Sequence, residues 1–423
     1  MKKFLVGSST AAHQVEGNNI HSDYWAMEHM TYTDFKEPSG DAVDHYNRYK
    51  EDIALMKKAG LNAYRFSIEW ARIEPEEGRF DDSEIEHYRD VILTCRENGI
   101  EPVVTLHHFT SPKWLIEKGG WENPDVVTYF ARYAKKVAKE FGSILTYVCT
   151  INEANMGIQV SAIAERYKKQ MMARAAQAQS VEGQAQVGMN FNTMMENMKK
   201  KAMENAGIFG TPTPQVFVSA RTPEGDLLVM KAHCAARDEI RKVNPEIKVG
   251  VTLSLHDIQI ADGGEENAKK EWNDEFSHYV PYIKDDDFFG LQNYTRSIIG
   301  KEGLIPADAT MRRTQMDYEF YPEALGHVIK RVYEETGLPI LITENGIATS
   351  DDKERCEFID KALDGVKECI DDGVNVLGYL HWSFIDNFEW QKGFSMTFGL
   401  VSVDRSTMVR TPKESLFRLG EYT

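Results

Sequence analysis

Short runs of apolar and β-branched residues alternate along this chain with longer segments whose apolar positions recur at helical spacing. The strand-like runs are Phe4–Gly7, Ala63–Ile68, Pro102–His107, Leu145–Ile151, Lys248–Ser254, Phe288–Asn293, Pro339–Thr343 and Val374–Leu380. Between them lie amphipathic segments: Tyr46–Lys58, Glu84–Asn98, Asp125–Glu140, Leu228–Val243, Pro322–Glu335 and Lys353–Asp371. Gly60, Gly99 and Gly337 fall just after such segments, where glycine ends a helix. Strands joined by helical crossovers predict an α/β fold, a single (β/α)8 TIM barrel spanning residues 1–423 with elaborated loops after its strands. A doubly wound open sheet is the alternative, but no strand is followed by a G-x-G-x-x-G or a P-loop.

A barrel of this kind places its chemistry at the carboxyl ends of its strands. The run Ile340–Thr343 leads directly into Glu344 and a turn at Asn345-Gly346. The run ending at Ile151 leads into Asn152-Glu153. One such glutamate reads equally well as a solvated strand end. Two suggest carboxylates facing each other across a pocket, the pair that glycoside hydrolysis requires. The other strand ends carry His13, Gln14 and Glu16; Arg65 with Glu69-Trp70; His107-His108-Phe109; Gln292-Asn293-Tyr294; and His381-Trp382 followed by Asn387-Phe388-Glu389-Trp390. Sugars need this mixture, because their hydroxyls demand donors and acceptors while their C–H faces pack on aromatic rings.

Composition narrows the ligand. The 423 residues carry a net charge of −17, which disfavours nucleic acid and anionic membrane surfaces as partners. Hydrophobic residues make up 42%, enough for a large core, yet no run is long enough to span a membrane. Cys95, Cys149, Cys234, Cys356 and Cys369 show neither zinc-site nor disulfide spacing, which suits reduced thiols in a cytoplasmic protein. The Lys2-Lys3 start with Phe4-Leu5-Val6 is too short for a signal peptide. No His/Asp/Glu cluster has metal-ligand spacing, and no cofactor is expected.

The motifs, taken in order, resemble those of glycoside hydrolase family 1, the β-glucosidase-type retaining enzymes. They are Phe4 to Gly17, Asp44-His45-Tyr46, Tyr64 to Ile68 with Trp70 and Arg72, Thr105 to Pro112, Thr150 to Glu153, Ile342 to Gly346, Trp382 to Trp390, and Phe398 to Asp404. The resemblance runs from residue 4 to about 415, apart from a middle section.

That resemblance implies a catalytic set of Glu153, Glu344, Tyr294 and Arg65. Glu344 would attack the anomeric carbon, and Glu153 would protonate the leaving oxygen and then deprotonate water. Retention goes with carboxyls about 5–5.5 Å apart, against about 6.5–9.5 Å for inversion. Glu153 is expected to carry a raised pKa beside a negatively charged Glu344, falling once the nucleophile is glycosylated. Tyr294 and Arg65 would hold Glu344 ionised. Asn152 would meet the sugar 2-hydroxyl, Gln14, His108, Glu389 and Trp390 the other hydroxyls, and Trp382 the floor of the ring site. The substrate implied is a small β-glycoside, unphosphorylated because Glu389-Trp390 is intact and a carboxylate would repel a phosphate. Glucosides lead, with galactosides and fucosides accommodated by the same pocket. Transglycosylation at the same site, and a carbohydrate-binding relative with weak catalysis, remain the alternatives.

The chain also departs from the family pattern. Ala154 stands where Pro is usual, leaving the backbone after Glu153 less restrained, and His13 stands where an aromatic residue is frequent. Residues 155 to about 215 form an atypical insertion rich in Met, Ala and Gln, whose composition favours helix. Its Met side chains suit either a hydrophobic aglycone or a partner subunit in a homo-oligomer.

Overall fold

The computed structural model describes residues 4–179, 191–308 and 310–423. The middle of the atypical insertion, residues 180–190, lies outside the described residues.

All eight expected strands form, at Leu5–Ser9, Ala63–Ser67, Glu101–His107, Tyr147–Ile151, Lys248–Gly250 continued by Thr252–Ser254, Phe289–Gln292, Ile340–Asn345 and Val376–Trp382. They pair in parallel in chain order, and the last pairs with the first, Leu5 opposite Gly378. The fifth strand closes the ring by changing partner. Its first half pairs with the fourth strand, Lys248 opposite Tyr147, and its second half with the sixth, Thr252 opposite Gly290. The break at Val251 is where the two pairings meet. The Val251 N–H is taken by Asp286 Oδ2 at 3.2 Å, so no ladder donor is lost there.

The interior strands are buried along nearly their whole length because helices cover the outside, and the apolar runs follow from that. The expected helices form at His45–Lys58, Asp82–Glu97, Val126–Phe141, Pro223–Val243, Ala324–Thr336 and Asp352–Asp371. Gly337, at φ 64°, ends the helix before the seventh strand in a left-handed turn that favours glycine.

Two differences from the sequence reading stand out. The seventh strand continues past Thr343 through Glu344 and Asn345, with a register shift against the sixth strand between Ile342 and Glu344. Glu344 is therefore held inside the sheet, and Asn345, expected in the turn, is the strand's last residue. A small second sheet, Asp257–Ile260 with Arg296–Gly300 and Gly303–Ile305, was not foreseen because its strands are short and half-exposed. The described ends of the insertion are helical, Met156–Gln179 and Phe191–Phe209, as the Ala, Gln and Met content expects. No helix among the described residues is long and apolar enough to cross a membrane.

Candidate active site

Glu344 and Glu153 project from the carboxyl ends of the seventh and fourth strands and are 3% and 6% exposed. Glu344 is gripped on both oxygens. Arg65, on the second strand, donates from Nη1 to Oε1 at 2.5 Å, and the Tyr294 hydroxyl donates to Oε2 at 2.6 Å. Arg65 is fully buried, and it also donates from Nε to Thr105 Oγ1 at 2.9 Å, from Nη2 to Asn152 Oδ1 at 2.5 Å and from Nη1 to Thr343 O at 3.5 Å. A buried arginine is tolerated when every N–H finds an acceptor and one is a carboxylate.

The Asn152 amide is oriented by its surroundings. Its oxygen also accepts from Gln292 Nε2 at 2.7 Å, so its NH2 group is left to face His108, with Nδ2 and Nε2 3.3 Å apart. Burial, followed by the charge of Arg65, pushes the His108 pKa well below its ordinary value, so the ring is neutral. The arrangement places Nδ1–H on the other edge of the ring, where that nitrogen is buried without a protein partner.

The electrostatics separate the two carboxyls. Glu153 is pushed well above the usual carboxylate range, first by burial and next by the negative charge of Glu344. Burial raises Glu344 as well, against the pull of the partners expected to hold it ionised. Arg65 and the Tyr294 hydrogen bond oppose that rise at Glu344, so of the two carboxyls Glu344 is the one favoured to carry charge. Burial and the same charge lift the Tyr294 pKa far above its normal value, keeping the phenol a donor.

The remaining residues line the wall from the first and eighth strands. Gln14 Nε2 donates to Phe388 O at 2.8 Å and to Glu389 Oε2 at 3.2 Å, leaving its own Oε1 buried and unpartnered. Burial, then Glu344, lift the Glu389 pKa to about 8. Trp382 lies near-parallel to His108, ring centres 5.5 Å apart, and Trp390 lies near-parallel to both His108 and His13, ring centres 6.2 and 6.0 Å away. His13 thus supplies the flat ring that an aromatic residue would. Phe109, Glu153 and Trp390 all hold left-handed backbone, φ 69°, 44° and 47°, a clustering of strain that marks functional sites.

Some polar groups at the strand ends sit elsewhere. Glu16 pairs with Arg72 and Tyr88, and His107 bonds Ser111 amid Trp121 and Phe217, so both are structural. Sequence reasoning missed Gln292 and Thr252, whose side chains reach Asn152 at 2.7 and 3.2 Å. Gln292 was visible as a polar strand end, whereas Thr252 looked like an ordinary β-branched strand residue. Ala154 is also better held than its lack of a proline ring suggested, because its N–H donates to Thr252 O at 3.0 Å.

The pattern for glycosyl hydrolase family 1 matches residues 1–182 and 275–419, passing over most of the atypical section and the fifth strand. β-Glucosidase A of Thermotoga maritima is 30% identical over 438 residues, covering 97% of this chain and 95% of that protein. A β-galactosidase of Pyrococcus woesei is 26% identical, covering 99% of this chain and 96% of its own length. The crystal structure of β-glycosidase BGL167 superposes with a TM-score of 0.87 at 42% identity, covering 99% of this chain and 95% of that one. With the family pattern covering most of the chain and a 30% identical relative covering nearly all of it, the chain belongs to glycosyl hydrolase family 1 and is a glycoside hydrolase.

Proposed function

We propose that the chain is a retaining exo-β-glycosidase that removes terminal, unphosphorylated β-D-glucosyl residues, with β-galactosyl and β-fucosyl residues accepted by the same pocket. Its relatives include proteins named β-glucosidase and β-galactosidase, which supports a β-glycosidase. The observation that carries the proposal is the asymmetry of the two buried carboxyls. Glu344 has both oxygens bonded to Arg65 and Tyr294, while Glu153 is raised by burial and by the Glu344 charge.

In the first half-reaction the Glu344 carboxylate attacks the anomeric carbon as the glycosidic C–O bond breaks. Glu153 gives its proton to the departing oxygen, and the alcohol leaves. The sugar is then held as an ester of Glu344, whose charge is gone. With that repulsion removed, the Glu153 pKa falls and its carboxylate takes a proton from water. The water oxygen attacks the same carbon, the ester breaks, and the sugar leaves with its configuration retained.

Asn152, with its oxygen saturated by donors, offers N–H to the 2-hydroxyl, where bonds strengthen in the transition state. Gln14 Oε1 and His108 Nδ1 have free capacity for other hydroxyls, and Glu389 pairs with Gln14 beside them. Glu389, paired with Gln14, brings no positive charge to a phosphate dianion, and the Glu344 carboxylate opposes one, which favours unphosphorylated sugars.

The test is a panel of nitrophenyl α- and β-glycosides, with and without a 6-phosphate. Turnover of the plain β-glucoside or β-galactoside, with retention seen by proton NMR of the first-formed sugar, is expected. Turnover restricted to the 6-phosphates, or an inverted product, would overturn the proposal.

A further inference from the structure

Glu153 sits at φ 44°, a backbone conformation that an L-residue with a Cβ adopts only when its surroundings impose it. Its own carbonyl accepts from the Met156 N–H at 2.8 Å, and the two amides that flank its Cα go to one residue. The Glu153 N–H donates to Thr252 Oγ1 at 3.0 Å, and the Ala154 N–H donates to Thr252 O at 3.0 Å. The amides on either side of the Glu153 Cα are therefore both tied to the same threonine, which is itself fully buried.

The Thr252 hydroxyl is directed toward Glu153 by packing. Thr252 stands opposite Gly290 in the parallel ladder, and a Cβ on that glycine would fall 2.5 Å from Thr252 Cγ2. The methyl thus occupies the space the glycine leaves, and Oγ1 is turned to the fourth strand. There it also takes a hydrogen bond from Gln292 Nε2 at 3.2 Å and lies 3.2 Å from Asn152 Oδ1. One hydroxyl joins the backbone of Glu153 to the residues that orient Asn152.

We propose that Thr252 is a positioning residue for the proton-transfer steps, holding the strained Glu153 backbone through its hydroxyl so that the carboxyl meets the leaving oxygen and then water. This rests on the acid/base role of Glu153 given above. The strand pairing alone does not need the hydroxyl, because the backbone carbonyl of Thr252 already holds Ala154. A hydroxyl acting through Glu153 has a distinct signature. Its loss hurts the steps in which a proton moves far more than the others, on top of a small effect through Asn152 that all substrates share, whereas a general loosening of the barrel hurts every substrate alike.

The test replaces the hydroxyl with a methyl of the same size, Thr252→Val, and follows kcat/KM across aryl and alkyl β-glucosides of rising leaving-group pKa. For dinitrophenyl β-glucoside, whose leaving group needs no acid, kcat/KM stays within about twofold, while for alkyl β-glucosides it falls roughly 10–100-fold, within the range of general acid catalysis. Added azide, which needs no base, speeds turnover of the activated substrate and yields a β-glycosyl azide. Thr252→Ser, which keeps the hydroxyl, restores the wild-type profile. A uniform loss without azide acceleration, or no loss at all, overturns the proposal. Should Thr252→Val fail to fold, Thr252→Ala against Thr252→Ser is read by the same series. Glu153→Ala is measured alongside. If it shows the leaving-group dependence and azide product while the hydroxyl variants show neither, the Thr252 proposal alone fails. If it too shows neither, the acid/base role of Glu153 fails and takes the proposal with it.

Discussion

Arg65 Nη2 lies 2.5 Å from Asn152 Oδ1, while the other arm of the same guanidinium pairs with Glu344 at 2.5 Å. One fully buried arginine therefore fixes the residue proposed to attack the sugar and the residue proposed to hold its 2-hydroxyl. The link makes both ends of the site depend on the second barrel strand.

Removing that arginine should be costly in two ways. Arg65→Met leaves Glu344 buried without its charge partner, and breaking a buried pair costs about 3–5 kcal/mol. A large fall in Tm is expected. The acid limb of kcat/KM should also move to higher pH, because Arg65 opposes the rise in the Glu344 pKa. An acid limb that stays in place would separate Arg65 from the ionisation of Glu344.

Glu153→Ala should spare glycosylation by activated aryl glycosides and slow deglycosylation by roughly 10²–10⁴-fold, the scale of a lost general base. Azide should rescue turnover and leave a β-glycosyl azide, detected by mass spectrometry and NMR. Failure to form it would remove Glu153 from the acid/base role.

Glu389 should make stability depend on pH. Burial raises its pKa from 4.5 to about 8, so the folded state binds the proton more tightly than the unfolded chain. Its contribution is fully present below pH 4.5 and is lost as pH rises through about 8. Thermal unfolding of wild type should show Tm falling across that window more steeply than in Glu389→Gln, which cannot ionise. Parallel slopes would contradict the shift.

The barrel was legible because parallel strands buried on both faces read as apolar runs, and Glu153 and Glu344 interrupt two of them at the same end. The side chains that orient these groups were harder to see. Gln292 and Thr252 act on Asn152 from other strands; Gln292 shows only as a polar strand end, and nothing in the local sequence of Thr252 distinguishes it from a residue filling the barrel interior. The fate of Ala154 was misread for the same reason, since its restraint comes from a strand about a hundred residues later rather than from its own ring. The second sheet escaped notice because Leu304 and Ile305 in its edge strand are exposed and carry no buried pattern.

The central claim is that Glu344 forms a covalent bond to the sugar. Incubation with dinitrophenyl 2-deoxy-2-fluoro-β-glucoside, followed by mass spectrometry of the intact protein and its peptides, tests this directly. A stoichiometric fluoroglucosyl adduct on the peptide containing Glu344 is expected, with loss of activity in step with labelling and no adduct in Glu344→Gln. An adduct on another residue, or inactivation without one in a chain that turns over the β-glucoside, would contradict it.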